Sequence, residues 1–233
     1  MLIIYMSNIF ETQTNKIQKV SNNKYKFVFE NGEKFNHFYK KTWRFLDIKN
    51  RNQTNFTFTA ENVMPLNKFL KSNNNVLTYS QAKWLFLDIS KQYEGLEKDG
   101  YGNLYIDKKD IVCIFLKDIE GRNGENTFYL YLNSNTFFEK KSSNLEITKP
   151  LKKNKYFSPE MFTVRTFPSL IPYTTCYYSL ALLIVDILST IDNIELTKPN
   201  FQTVLKEYNG SKLYYSLMRC LEDDPNNRYF LFI

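Results

Sequence analysis

The chain is poor in the residues that carry the commonest chemistries. Its 233 residues include one histidine, His37, and three cysteines, Cys113, Cys176 and Cys220. A zinc site needs clustered Cys and His at short spacing, and none occurs. Three thiols scattered through apolar stretches form no disulfide framework, so they read as reduced, buried side chains of a cytoplasmic protein. Histidine-based acid–base catalysis would have to use His37, which sits in a strand-like aromatic run and reads as structural. Only seven Gly and seven Pro are present, which excludes collagenous and linker-type chains. No long apolar run exists. The start, Met1 to Met6, is too short for a signal peptide and lacks a basic leader. The run Tyr177 to Leu188 is interrupted by Asp186 and has the length of a buried helix, not of a bilayer span.

What the chain has instead is aromatic and basic. Aromatics reach 17% and the formal net charge is +7. That apolar content supplies a packed core. The positive balance favours anionic partners, but the lysines are dispersed and no nucleic-acid-binding motif accompanies them. A protein partner is the better expectation, with nucleic acid second. Abundant Asn, Lys, Ile, Phe and Tyr point to an AT-rich genome.

Residues 7–23 are polar and read as a loop. Lys24 to Glu30 alternates at period two, as a half-buried strand does. Asn31-Gly32 is a hairpin signal, with Lys34–Tyr39 as the return strand. Further strands are expected near Thr42–Ile48 and Phe56–Ala60, making a small antiparallel sheet. Pro65–Lys71 is a short helix. Thr78 with Gln81 forms a capping box for a helix running to about Leu96. Asp99-Gly100 and Tyr101-Gly-Asn103 break it. Ile111–Leu116 and Thr127–Leu132 are strands around a turn at Gly121–Gly124. Residues 133–155 show no pattern and read as a loop. Tyr178–Thr190, Phe201–Glu207 and Leu213–Leu221 are helical. The class is α+β with segregated elements.

Five segments, in order, resemble the protein kinase family over residues 54–233. Phe56–Glu61 with Pro65–Leu70 is similar to the last upper-lobe strand and hinge. Thr78–Leu96 resembles the long helix that precedes the catalytic loop. Lys155-Tyr-Phe-Ser-Pro-Glu160 resembles the Ala-Pro-Glu segment that closes the activation loop. Tyr177–Leu188 resembles the central buried helix, and Leu213 to Arg228 the closing helices with their Cys-Leu pair, Pro turn and buried Arg. The resemblance implies a kinase-like fold, with a reduced β-rich lobe over residues 1–61 and a mainly helical lobe over 62–233. It also implies an ion pair between Glu160 and Arg228.

The same resemblance implies lost chemistry. Phosphoryl transfer needs a phosphate cradle, a lysine on the phosphates, a catalytic Asp and metal-binding Asn and Asp. Matching Asp110-Ile-Val112 to Asn-Ile-Leu puts Asn103-Leu-Tyr105 over His-Arg-Asp. Tyr105 then replaces the catalytic Asp, with a phenol that is uncharged at neutral pH. Asp107 is a displaced-base candidate, and Asp110 takes the metal-binding Asn position. Asn133 replaces the metal-binding Asp, and a neutral amide anchors Mg²⁺ poorly. No Gly-rich phosphate loop is found, and Lys40 or Lys41 read as surface charge. Cys176 stands where the family has the Asp that braces the catalytic loop, and Tyr178 where it has Trp. That exchange implies no catalytic loop left to brace. The expectation is a pseudokinase without catalytic residues, cofactor or metal. It would act as a protein-binding or structural scaffold, and a large DNA virus is a natural source, placing it in host cytoplasm or virion. The alternatives are a divergent active Ser/Thr kinase and a basic virion or nucleic-acid-associated structural protein.

Overall fold

The computed structural model describes residues 7–29, 46–52, 54–189 and 195–231. His37, Lys40, Lys41, the Asn31-Gly32 turn, the expected return strand Lys34–Tyr39 and the first part of the strand placed near Thr42–Ile48 lie outside them. In chain order the described elements are β1 (Ser7–Glu11), β2 (Asn15–Ser21), β3 (Lys24–Phe29), β4 (Ile48–Lys49), β5 (Asn55–Thr59) and β6 (Asn62–Pro65). Helices α1 (Leu66–Ser72) and α2 (Tyr79–Lys98) follow, then β7 (Tyr101–Asn103), β8 (Ile111–Phe115), β9 (Thr127–Tyr131), β10 (Phe137–Lys141) and β11 (Asn144–Ile147). The chain continues through α3 (Pro159–Thr163), β12 (Ser169–Pro172), α4 (Thr175–Leu188), α5 (Lys198–Lys206) and α6 (Lys212–Cys220). Among the described residues the architecture is α+β, with antiparallel sheets and six helices. No described helix is long and apolar enough to cross a membrane.

The chain divides into two compact units. The first comprises residues 1–72 and 109–135, the second 73–108 and 136–233. The division drawn at 61/62 from sequence thus falls inside the first unit, because β6 pairs with β8 across the intervening chain.

The first unit holds an antiparallel sheet of order β1-β2-β3-β5-β4 and a three-stranded sheet β6-β8-β9. Its core is aromatic. Tyr25, Phe27, Phe29, Phe56 and Phe58 are buried. Phe27 meets Phe29 edge-on at 4.6 Å and Phe56 at 5.4 Å, geometries that add to area burial. Residues 7–23 are not a loop. They form β1 and β2, and the reason they read as polar is local. Only Phe10 of β1 faces the core, and β2 buries Asn15 and Ile17 while Lys16, Gln18 and Lys19 face outward. Asn15 is admitted because its Nδ2 donates to the Leu132 carbonyl at 2.6 Å and to Thr14 Oγ1 at 3.0 Å. A buried amide so satisfied costs little.

The second unit is built around α2 and α4, which pack on each other. Helix α2 buries Ala82, Leu85, Phe86, Ile89, Tyr93 and Leu96, the spacing of one helical face. Its capping box is closed: Thr78 Oγ1 accepts from Gln81 N at 3.2 Å and Gln81 Oε1 from Thr78 N at 3.1 Å. After Asp99, Gly100 sits at φ +84°, where a side chain would strain the backbone.

Tyr101-Gly-Asn103 ends the helix but is itself a strand, β7, in the sheet β12-β11-β10-β7. A Cβ on Gly102 would come within 2.8 Å of Leu145 Cδ2, so glycine leaves room for the Leu145 side chain of β11 over β7. Residues 133–155 likewise are not featureless. They hold β10 and β11, two short strands with one face buried through Phe137, Leu145 and Ile147. Charged outward residues, among them paired Lys141 and Glu146, conceal the alternation.

Thr78→Ala should remove one hydrogen bond of the box and lower stability by about 1 kcal/mol. Gln81→Ala should cost less. Urea unfolding measures both.

Candidate functional site

The residues singled out from sequence fall into two places. Asp110 and Asn133 belong to the first unit, Tyr105, Asp107, Glu160 and Arg228 to the second.

Asp110 precedes β8 and is buried. Asn133 follows β9. Pairing of the two strands brings them together: Asn133 Nδ2 donates to Asp110 Oδ2 at 3.1 Å, and Leu132 N donates to the Asp110 carbonyl at 2.9 Å. Asn133 Oδ1 accepts from Asn135 N at 3.2 Å. This pair therefore ties the end of one strand to the start of the other. Among the described residues no group of three or more His, Cys, Asp or Glu could hold a metal ion.

Tyr105 packs against an apolar cluster of Leu104, Leu145, Ile147, Phe157, Met161 and Ile171. Its ring meets Phe157 edge-on at 5.1 Å. Asp107 accepts from Asn154 Nδ2 at 3.2 Å. The Tyr105 carbonyl accepts from Asn103 Nδ2, which also reaches Tyr93 Oη at 2.7 Å.

Cys176 meets this segment at its start, through a hydrogen bond with the Asn103 backbone. Its thiol donates to the Tyr173 carbonyl of its own turn. Other residues of α4 hold the segment as well. Ser179 Oγ accepts from Ile106 N at 3.1 Å. Asp186 Oδ2 lies 2.5 Å from Lys108 Nζ. It also takes Lys155 Nζ at 2.8 Å and the Tyr156 hydroxyl at 2.6 Å. Asp186 is 6% exposed in its side chain. Burial alone would raise its pKa, but hydrogen bonds from Lys108, Lys155 and Tyr156 outweigh that and hold it below the ordinary carboxylate range. Burial and the Asp186 charge push the Tyr156 phenol up. Sequence reading noted Asp186 only as an interruption of an apolar run. Its partners lie 78, 31 and 30 residues away, and no local signal joins them.

The Glu160–Arg228 pair is bidentate. Arg228 Nη1 lies 2.6 Å from Glu160 Oε1 and Nη2 3.1 Å from Oε2. Arg228 Nε donates to the Glu222 carbonyl at 2.7 Å and Nη2 to that of Asp223 at 3.1 Å. The guanidinium also stacks 4.8 Å from the Tyr178 ring. Its side chain is fully buried, and that of Glu160 is 16% exposed. Four hydrogen bonds and a ring face offset the desolvation that burying the charge entails. Local folding sets the positions. Glu160 is in the first turn of α3, behind Pro159, and Ser158 shares a hydroxyl bond with Thr175 at the start of α4. Arg228 leaves a turn capped by Asp224, whose carboxylate accepts from Asn226 N.

No protein-family model matches the chain, and no curated protein matches it significantly. The chemical reading therefore stands on these contacts. They hold backbone segments together, and each carboxylate among them already accepts a hydrogen bond.

Arg228→Ala should lower stability by about 3 kcal/mol, because Glu160 is left without its main partner. Arg228→Lys should recover only part, since a single ammonium cannot make the four directed bonds. A urea-unfolding double-mutant cycle with Glu160→Gln should give a large coupling; independent effects would contradict this. Asp186 has a lowered folded-state pKa, so its contribution is present above the unfolded value of about 3.9 and lost as pH falls through the folded value. Asp186→Asn should thus destabilise at pH 7, and the difference from wild type should shrink in that acid window.

Proposed function

We propose that the chain is a kinase-like pseudokinase that serves as a protein-binding or structural scaffold. The observation that carries the reading is the surroundings of Tyr105. Where the resemblance asks for a catalytic carboxylate, a phenol packs on Phe157 at the edge of an apolar cluster. A neutral phenol cannot take a proton from a substrate hydroxyl near pH 7. The nearest carboxylate in sequence, Asp107, accepts from Asn154.

Two further arrangements support the reading. Asp110 and Asn133 exchange the residue types the family uses for metal, and they bond to each other. The Glu160–Arg228 pair serves packing alone: it joins the first turn of α3 to the tail and leaves no group for chemistry. A chain that has given up proton and metal handling but retains a well-packed second unit has a use for its surface.

The test is nucleotide binding and transfer on the full chain. With Mg·ATP the melting temperature should stay unchanged, and labelled γ-phosphate should reach neither the chain nor a generic acceptor protein. A clear thermal shift, together with phosphate transfer abolished by Tyr105→Phe or Asp107→Asn, would establish the divergent-kinase alternative instead.

A further inference from the structure

The second unit carries an open groove that its internal contacts leave unused. It lies between β11, the segment that follows it, and α3 with its outgoing loop. Ile147, Leu151, Phe157, Met161, Phe162 and Phe167 line it, and its cavity measures about 260 Å³. That is room for several waters, or for a large aliphatic or aromatic side chain. Two of its walls are exposed rings: Phe162 is 56% and Phe167 39% accessible. Leu170, on the neighbouring strand β12, is 59% accessible. Large apolar side chains grouped this way on a surface mark contact sites.

The charged residue that lines the groove is a lysine, and further cations neighbour its lining residues in sequence. Lys149 precedes the lining residue Pro150, Lys152 follows Leu151, Lys153 is itself a wall, and Arg165 follows Val164. All four are exposed, and none has an ion pair or hydrogen bond among the described residues. The two carboxylates of this stretch are engaged elsewhere, Glu146 with Lys141 and Glu160 with Arg228. The dispersed positive balance of the chain thus becomes local here, around an apolar centre.

We infer that this groove docks a short acidic segment of a partner protein, with one large apolar side chain in the cavity and flanking Asp or Glu on the lysine rim. The inference rests on the scaffold reading and gives it a surface and a ligand class. An apolar anchor sets affinity, and the rim charges set encounter and specificity. Concavity and the shortness of the basic stretch favour a peptide over nucleic acid, which would use an extended basic track along its stacking faces.

A random twelve-residue peptide library displayed on phage and selected on the full chain tests this directly. Enriched peptides should combine Asp or Glu with a Trp, Phe or Leu. The best, labelled and followed by fluorescence anisotropy, should bind about tenfold or more weakly to Phe162→Asp and to Lys152→Glu/Lys153→Glu, and more weakly in high salt. Phe162, Lys152 and Lys153 are exposed, and thermal melts should show both variants folded. No enrichment, enriched peptides without acidic residues, or binding that neither variant changes would overturn the inference. So would a dT20 oligonucleotide or phosphatidylserine vesicle that binds in a Phe162-dependent manner and displaces the peptide. The two readings fail separately. Phosphate transfer would end the scaffold reading and leave the groove as a docking site, whereas binding insensitive to Phe162→Asp would move the surface and leave the scaffold.

Discussion

Helix α4 must be covered on all sides, and the second unit is the solution to that constraint. Thirteen of its fourteen residues are buried, so it can be neither an amphipathic surface helix nor an isolated one. Helix α2 covers it from one direction, and α5 and α6 from others. The segment 103–108 is held to it by Ser179 and Asp186, and the start of α3 by the Ser158–Thr175 contact. Its fourteenth residue, the half-buried Asp186, is the point where three chain segments meet in charge.

Burying so much apolar surface fixes a core but does not fix the loops around it. The polar contacts do that. Arg228 shows the logic: a guanidinium taken wholly out of water must find partners for its donors, and the carboxylate of Glu160 with the carbonyls of Glu222 and Asp223 supplies them. Specific geometry follows because only one arrangement satisfies all of these groups. Asp186 does the same for Lys108, Lys155 and Tyr156. The polar residues of this unit therefore specify which loops lie where, while the apolar ones supply the driving force.

What could be read from the sequence follows the range of the interaction. The capping box of Thr78 and Gln81 is three residues long, and it was legible. So were the apolar strands Ile111–Phe115 and Thr127–Tyr131, because both faces are buried and the runs are continuous. Strands β1 and β2 were hidden because an amide, Asn15, takes a core position by bonding to a carbonyl 117 residues away. Strands β10 and β11 were hidden by their charged outer faces. The Glu160–Arg228 contact spans 68 residues, and only a family resemblance, not spacing, could have named it. The Asp186 cluster had no such resemblance behind it and was missed.

The candidate catalytic positions differ from these structural ones in what surrounds them. A working general base must be charged, accessible to substrate and free to change protonation state. Tyr105 has no charge to offer, and its ring is committed to Phe157. Asp110 is buried and accepts from Asn133, so its carboxylate is committed to a contact that joins two strands. The groups beside the groove are less enclosed: Phe162 meets Phe157 edge-on at 5.8 Å yet stays 56% accessible, and Phe167 is 39% accessible. Stability gains little from leaving the rings of Phe162 and Phe167 in water beside Lys153, whereas the inferred recognition of an acidic, apolar-anchored partner would use all three.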